Sequence, residues 1–373
     1  MNWNTHFRIQ QSGGILEESA LPEIDANNIE DVKTLFSKLV QRLLNDELID
    51  NADDIDLLLI DQQEIAAFVV KGNQKHAICL SIGTIRAVWN LLLLSLADKE
   101  TFLNYPGDDK VDYEVAQRFT KELLTGPSIT PSLHYPHDFE RPKVYQNITA
   151  ERLEAVGLLY NAIIDYILHH EAMHITRQHP SYFNALNNET FIDETTIKQK
   201  ALQVYQFFEI DADLAALGYN ITSHPEFKEP AAITEFERKD FFFSELFCYV
   251  LVQQLFDLDT AKEINSQLKA CHPPPVFRAM FFSNLLRQYF RKYAIIAEED
   301  IFDQQNKAWY ESSRIAVKLG FPEGRWHGSH MNDVPFALID QWVDEFNVFQ
   351  EMIDIEDQAE SLRQFKAYLD KEQ

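Results

Sequence analysis

The chain has 373 residues, 46% of them hydrophobic and 12% aromatic with 27 Phe, which excludes a disordered polymer and leaves room for one large domain or two. A net charge of −26 speaks against nucleic acid or an anionic membrane as partner, because both call for a basic face. The plain reading of so much acid is solubility; a preference for basic substrates is the sharper one. Cys79, Cys248 and Cys271 are few, odd in number and widely spaced, so no disulfide framework or paired-cysteine metal site is expected, and a reduced cytosol fits.

The first residues lack an apolar run, so no signal peptide is expected. Residues 1–26 are polar and weakly patterned and read as an extended arm. Between 28 and 48, Ile29, Val32, Leu35, Phe36, Leu39, Val40, Leu43 and Leu44 recur at helical spacing. Short strands follow at 54–60, 64–70 and 76–82, the last two joined by a hairpin turn over Lys71, Gly72, Asn73 and Gln74. Helices are predicted over 84–96 and 108–124. The segments 87–97 and 241–256 are apolar, but the first is too short to span a membrane and the second contains Ser244, Glu245, Gln253 and Gln254, so both read as buried helices. Residues 126–148 carry Pro127, Pro131, Pro136 and Pro142 and read as a linker, with His134 and His137 in solvated loop. Beyond it the pattern is helical, with helices predicted near 150–178, 197–217, 233–257, 260–270, 275–294, 299–319 and 336–369. The predicted fold class is α+β: a small mixed sheet in an α/β part (27–125), a helical core (149–298) and a helical C-terminal region (299–373).

Within the predicted helix at 150–178, His170, Glu171 and His174 spell H-E-x-x-H. Residues four apart share a helix face, so two imidazoles can hold one zinc ion while the glutamate between them reaches a water on that metal. Thr149 is placed to cap the helix, and Leu153, Val156, Leu159 or Tyr160, Ile163 and Ile167 form an apolar stripe that His170 and His174 continue, so both rings should face protein. Pro180 discourages helix at His179 and should end the element. Buried, hydrogen-bonded core histidines are the plain alternative.

The next helix carries Glu209 and Asp213 one turn apart, with Gly218 as its expected stop. A hydrolytic zinc site needs three protein ligands and an open position, which His170, His174 and Glu209 would supply. Asp213 is placed to accept from a ligating imidazole and fix its tautomer. Asp211 falls on the other side of that helix and reads as a surface or capping residue. His169 points about 100° away from the motif face and reads as a supporting or surface residue. His224, His327 and His330 read as loop residues.

His170-Glu171-x-x-His174 followed by Glu209-x-x-Ala212-Asp213 resembles the H-E-x-x-H…E-x-x-A-D pattern of gluzincin zinc metallopeptidases. Cys271-His272-Pro273-Pro274-Pro275-Val276-Phe277-Arg278 resembles the H-P-P-x-x-x-R block of HtpX-like and CAAX-prenyl endopeptidases, without their membrane helices. Among soluble gluzincins the chain looks like the Lit-like phage-exclusion peptidases, which are bacterial and cytoplasmic. His179 fits the H-E-x-x-H-x-x-x-G-H form of soluble relatives, with Gln178 where they carry Gly. The resemblance implies a zincin-like core and a zinc endopeptidase acting on a protein or peptide, in anti-phage defence or as a regulated toxin. In that mechanism Glu171 activates water as general base, then acid. His272 or Arg278, with Tyr205 behind them, would meet the oxyanion. Their plain alternatives are a helix-starting turn for His272 and a surface ion pair for Arg278. Gluzincins add the substrate as a strand to a sheet edge, for which 76–82 is the expected edge. Restricted access is expected, with 299–371 as a lid or a surface for a regulatory protein partner. The alternatives from other classes are a non-catalytic zinc-containing regulatory module, closed by a fourth ligand at His179, His272 or Asp211, and a zinc hydrolase of a small amide.

Overall fold

The computed structural model describes residues 7–21, 23–63, 65–72, 75–97, 148–182, 194–223, 234–259, 273, 275–293, 295–318, 336–355 and 357–370. The predicted helices at 108–124 and 260–270, nearly all of the Pro-rich linker, and His134, His137, His224, His272, His327 and His330 lie outside the described residues.

Apolar alternation with period two builds a three-stranded mixed sheet from β1 (Ile55–Ile60), β2 (Ala67–Lys71) and β3 (His76–Ser81) in the order β1-β3-β2. β3 runs parallel to β1 and antiparallel to β2. The strand expected at the edge is therefore the central one, and β2 forms an edge instead. A strand order of this kind is set by long-range pairing, which local pattern does not encode. On one sheet face Ile55, Leu59, Ile78 and Leu80 join the main core; on the other Leu58, Ile60, Val70, Ala77 and Cys79 form a smaller cluster around Ile9.

Ile9 belongs to α1 (Phe7–Gln11), so the N-terminal segment is not an extended arm but a cover for the second sheet face. It continues to Ile15, which bridges Ile60, with Leu16 N–H donating to Leu59 O and Asp61 N–H to Gly14 O. Arg8 stacks over the Phe68 ring at 4.2 Å and donates from Nη1 to Val69 O at 3.4 Å.

Helices α2 (Glu23–Asn45) and α3 (Ile82–Ala97) pack with the helix that carries the H-E-x-x-H motif, α4 (Ala150–Thr176). Every residue of α3 but Trp89 is buried, in keeping with its apolar sequence. α4 lies at the centre, against α2, α3, β2, β3, α5 (Glu194–Ser223) and α6 (Glu235–Asp259). α7 (Pro275–Lys292) packs on α5 and α6, and α8 (Glu298–Lys318) on α6 and α7. The predicted helix at 336–369 is two, α9 (Phe336–Ile353) and α10 (Gln358–Asp370), because the Asp357 carboxylate accepts from the N–H groups of Ala359 and Glu360 and starts a new helix. The expected stop at Gly218 does not occur. α5 runs on to Ser223, with Leu217 buried and the Tyr219 hydroxyl donating to Asp46. No helix among the described residues is long and apolar enough to cross a membrane.

Candidate metal centre

α4 starts where Thr149 accepts from Arg152 N–H through its side chain, at 3.4 Å, with Glu151 in the first turn. The helix is apolar on most of its circumference in its second half, so His170, Glu171 and His174 are each only 6% exposed. α5 crosses beside them and presents Glu209. The Nε2 atoms of His170 and His174 are 3.1 Å apart. Glu209 Oε2 lies 3.5 Å from the first and Oε1 lies 3.6 Å from the second. Among the described residues this is the one group of three or more His, Cys, Asp or Glu whose ligand atoms converge.

With one atom taken from each residue, the three ligand atoms lie within 4.8 Å of one another, and the two Nε2 atoms have a spacing that fits a metal. Tetrahedral zinc with ligand bonds of 2.0–2.1 Å puts neighbouring ligand atoms about 3.3 Å apart. The donor set of two imidazoles and a carboxylate is also one that zinc takes in catalytic sites.

Asp213, one turn beyond Glu209, sits under His170. Its Oδ1 is 2.8 Å from His170 Nδ1, and Arg278 donates to both its oxygens, from Nε and Nη2, at 2.6 Å each. Tyr166 and Tyr249 add hydroxyl donors, the latter at 3.2 Å. Burial raises the Asp213 carboxyl, but Arg278 and His170 outweigh it and hold it well below the usual range. Burial lowers His170, yet Asp213 and Glu209 outweigh it and push it up to about 10 in the metal-free chain. Burial pushes Glu171 up to about 7, with His170 pulling down and Glu209 pushing up.

Arg278 does not stand ready for an oxyanion. Two of its nitrogens are spent on Asp213, and Nη1 is directed at Glu209 Oε2, 3.8 Å away. It is also not a surface ion pair, since its side chain is 11% exposed. Tyr205 packs against the aromatic cluster of α5 and the C-terminal helices. His169 is fully buried, with Nδ1 2.7 Å from Asp165 O and its ring 5.4 Å from Tyr219.

Two residues take positions that the sequence reading did not give them. α4 ends at Thr176, and Gln178 then turns with φ of 58°, the left-handed conformation that Gly favours. Helix resumes at His179 with Pro180 in its first turn, where a missing N–H is harmless. The turn folds His179 back: its Nδ1 is 2.8 Å from His174 Nδ1, and its Nε2 is 3.0 Å from Asp211 Oδ2. Asp211 is thus buried, not a surface residue. It does lie on the far side of α5 from Glu209, but that side is covered. Phe207 and Phe208 there pack with Tyr182 and with Phe346, Phe349 and Phe365 of α9 and α10. Arg177 donates to Asp211 and, at 2.6 Å, to Asp354, and Gln350 donates to Asp211 at 3.4 Å. The C-terminal helices thus brace the face of α5 opposite Glu209.

Compared with models of protein families, with curated proteins and with solved structures, the chain matches none, so the site has to be read from its own geometry.

Proposed function

We propose that the chain is a zinc-dependent endopeptidase with a gluzincin-type site on a zincin-like core, in which His170, His174 and Glu209 hold the metal. The observation that carries this reading is the triangle formed by the two Nε2 atoms, 3.1 Å apart, and the Glu209 carboxylate, whose two oxygens lie 3.5 and 3.6 Å from them, one each, so that one ligand atom from each residue lies within 4.8 Å of the others. Zinc held there supplies a Lewis acid and lowers the pKa of water. Glu171, on the same helix and with its carboxyl near 7, is suited to take a proton from the attacking water and return it to the leaving amine. Asp213 and Arg278 position His170 and Glu209 from behind. The oxyanion donor is left to His272 by this reading, since Arg278 is engaged.

The substrate is a protein segment that adds as a strand to β2, the antiparallel edge on which α4 packs. From the pairing with β3, the backbone groups of Ala67, Val69 and Lys71 face outward, with Val69 O accepting from the exposed Arg8 that a substrate strand would displace. A cytoplasmic, bacterial setting in anti-phage defence or as a regulated toxin belongs to the same proposal. A non-catalytic, four-ligand site is less well supported: His179 and Asp211 gather at the other nitrogen of His174, away from the triangle.

The test compares wild type with Glu171→Ala by metal analysis and by a search of expressing cells for new protein termini. About one zinc per chain is expected in both proteins, with new termini in wild type alone. A wild type without zinc, or termini that persist in Glu171→Ala, would overturn the reading. Zinc without termini would favour the small-amide hydrolase or the regulatory module.

A further inference from the structure

Asp213 serves one of the two histidine ligands. We propose that His179 and Asp211 serve the other, as a second positioning chain that fixes the tautomer of His174 and aims its Nε2 lone pair at the metal. The proposal rests on the metal-site reading above.

The direction of each hydrogen bond follows from the two ends of the chain. Asp211, between Arg177 and His179, is an ionised carboxylate and only accepts. His179 Nε2, 3.0 Å away, must therefore carry the hydrogen. A His174 that ligates through Nε2 carries its hydrogen on Nδ1, so the His179 Nδ1 facing it has to accept. The two atoms are 2.8 Å apart, with His174 as the donor. In that tautomer, with hydrogen on Nδ1, the lone pair of His174 is on Nε2. That atom faces His170 Nε2 and Glu209. On the other ligand, the Asp213 carboxylate faces His170 Nδ1 at 2.8 Å, and Nε2 faces the cluster. With both rings set this way, two nitrogen lone pairs and a carboxylate converge within 4.8 Å. Only a cation, either a proton on His170 or a metal ion, makes that convergence favourable.

The two chains differ in reach. Asp213 is supported by α7 through Arg278, whereas Asp211 is supported by α9 through Gln350 and, by way of Arg177, by Asp354 just beyond it. The second chain thus connects a metal ligand to the C-terminal helices. The His179 ring packs 4.6 Å from Phe208, so an aromatic replacement keeps the packing while it removes the acceptor.

The experiment measures zinc affinity of the full chain by competition with a chromophoric chelator, together with the absorption spectrum of the cobalt(II)-loaded protein and melting of the metal-free protein. His179→Phe should weaken zinc about 10- to 100-fold, the size seen when a ligand loses its supporting partner, and should alter the cobalt spectrum. His179→Gln, whose amide can accept from His174 and donate to Asp211, should recover most of the affinity. A folded His179→Phe protein that binds zinc within about twofold of wild type would overturn the proposal, as would a His179→Gln protein no better than His179→Phe. If His179→Phe does not fold, Asp211→Ala, which removes the acceptor, decides: a several-fold loss supports the chain and an unchanged affinity overturns it. A wild type that binds no zinc is a separate outcome, and it removes the metal-site reading itself.

Discussion

Asp213 does two jobs that can be separated. Its carboxylate neutralises Arg278 and holds His170, and it is 3% exposed at the side chain. Asp213→Ala leaves a guanidinium that is 11% exposed with only Glu209, 3.8 Å away, as a partial partner. Removing one member of a buried ion pair costs about 3–5 kcal/mol, because the remaining charge has lost its compensation. Loss of the support on His170 should separately weaken zinc about 10- to 100-fold, or roughly 1.4–2.7 kcal/mol. Asp213→Leu with Arg278→Met replaces the pair by apolar groups of similar bulk and should recover most of the folding stability. It should not recover the zinc affinity, since His170 Nδ1 still has no acceptor. Chemical denaturation of the metal-free proteins and zinc competition on the same samples measure the two effects. A double variant as unstable as Asp213→Ala, or one that binds zinc like wild type, would refute this division of roles.

Zinc binding should release at least one proton per chain at pH 7.5. His170 is raised from 6.5 to about 10 in the metal-free chain, so zinc has to displace its proton. The sign also predicts that this proton stabilises the metal-free fold fully below pH 6.5, with the contribution fading as pH approaches about 10 while zinc affinity rises. Titration calorimetry in two buffers of different ionisation enthalpy counts the protons, and a count of zero refutes the assignment. Gln178→Gly should stabilise the protein by about 1 kcal/mol, since φ of 58° is strained for glutamine, and equilibrium denaturation reads the change. Phe349→Ala should cost about 3–5 kcal/mol and reduce zinc affinity, because Phe349 is fully buried in the cluster that fixes α9 against α5. Wild-type stability in that variant would show that the C-terminal helices do not brace the site.

The candidate ligands were legible because helical spacing is local information. His170 and His174 share a face by being four apart, and Glu209 and Asp213 repeat that relation, so a motif and a periodicity suffice to place all four. The same holds for Thr149, whose capping role depends only on its neighbours, and for the strands, whose alternation shows in the sequence. Sheet order was not legible: β3 lies between β1 and β2 because pairing partners are chosen over distance, and that moved the expected edge from β3 to β2. Asp211 shows the other limit. Its position on the back of α5 was correct from helix geometry, but whether that back meets water is decided by α9 and α10, more than a hundred residues away. His179 needed the left-handed turn at Gln178 to bring it onto His174, and the one sign of it in the sequence was that Gln178 stands where the resembling form carries Gly. The sequence by itself determined which atoms can bind a metal, because those sit on single helix faces. Only the tertiary structure decided what holds these atoms in place, because the supporting carboxylates, the arginines and the bracing helices meet across elements that local spacing cannot relate.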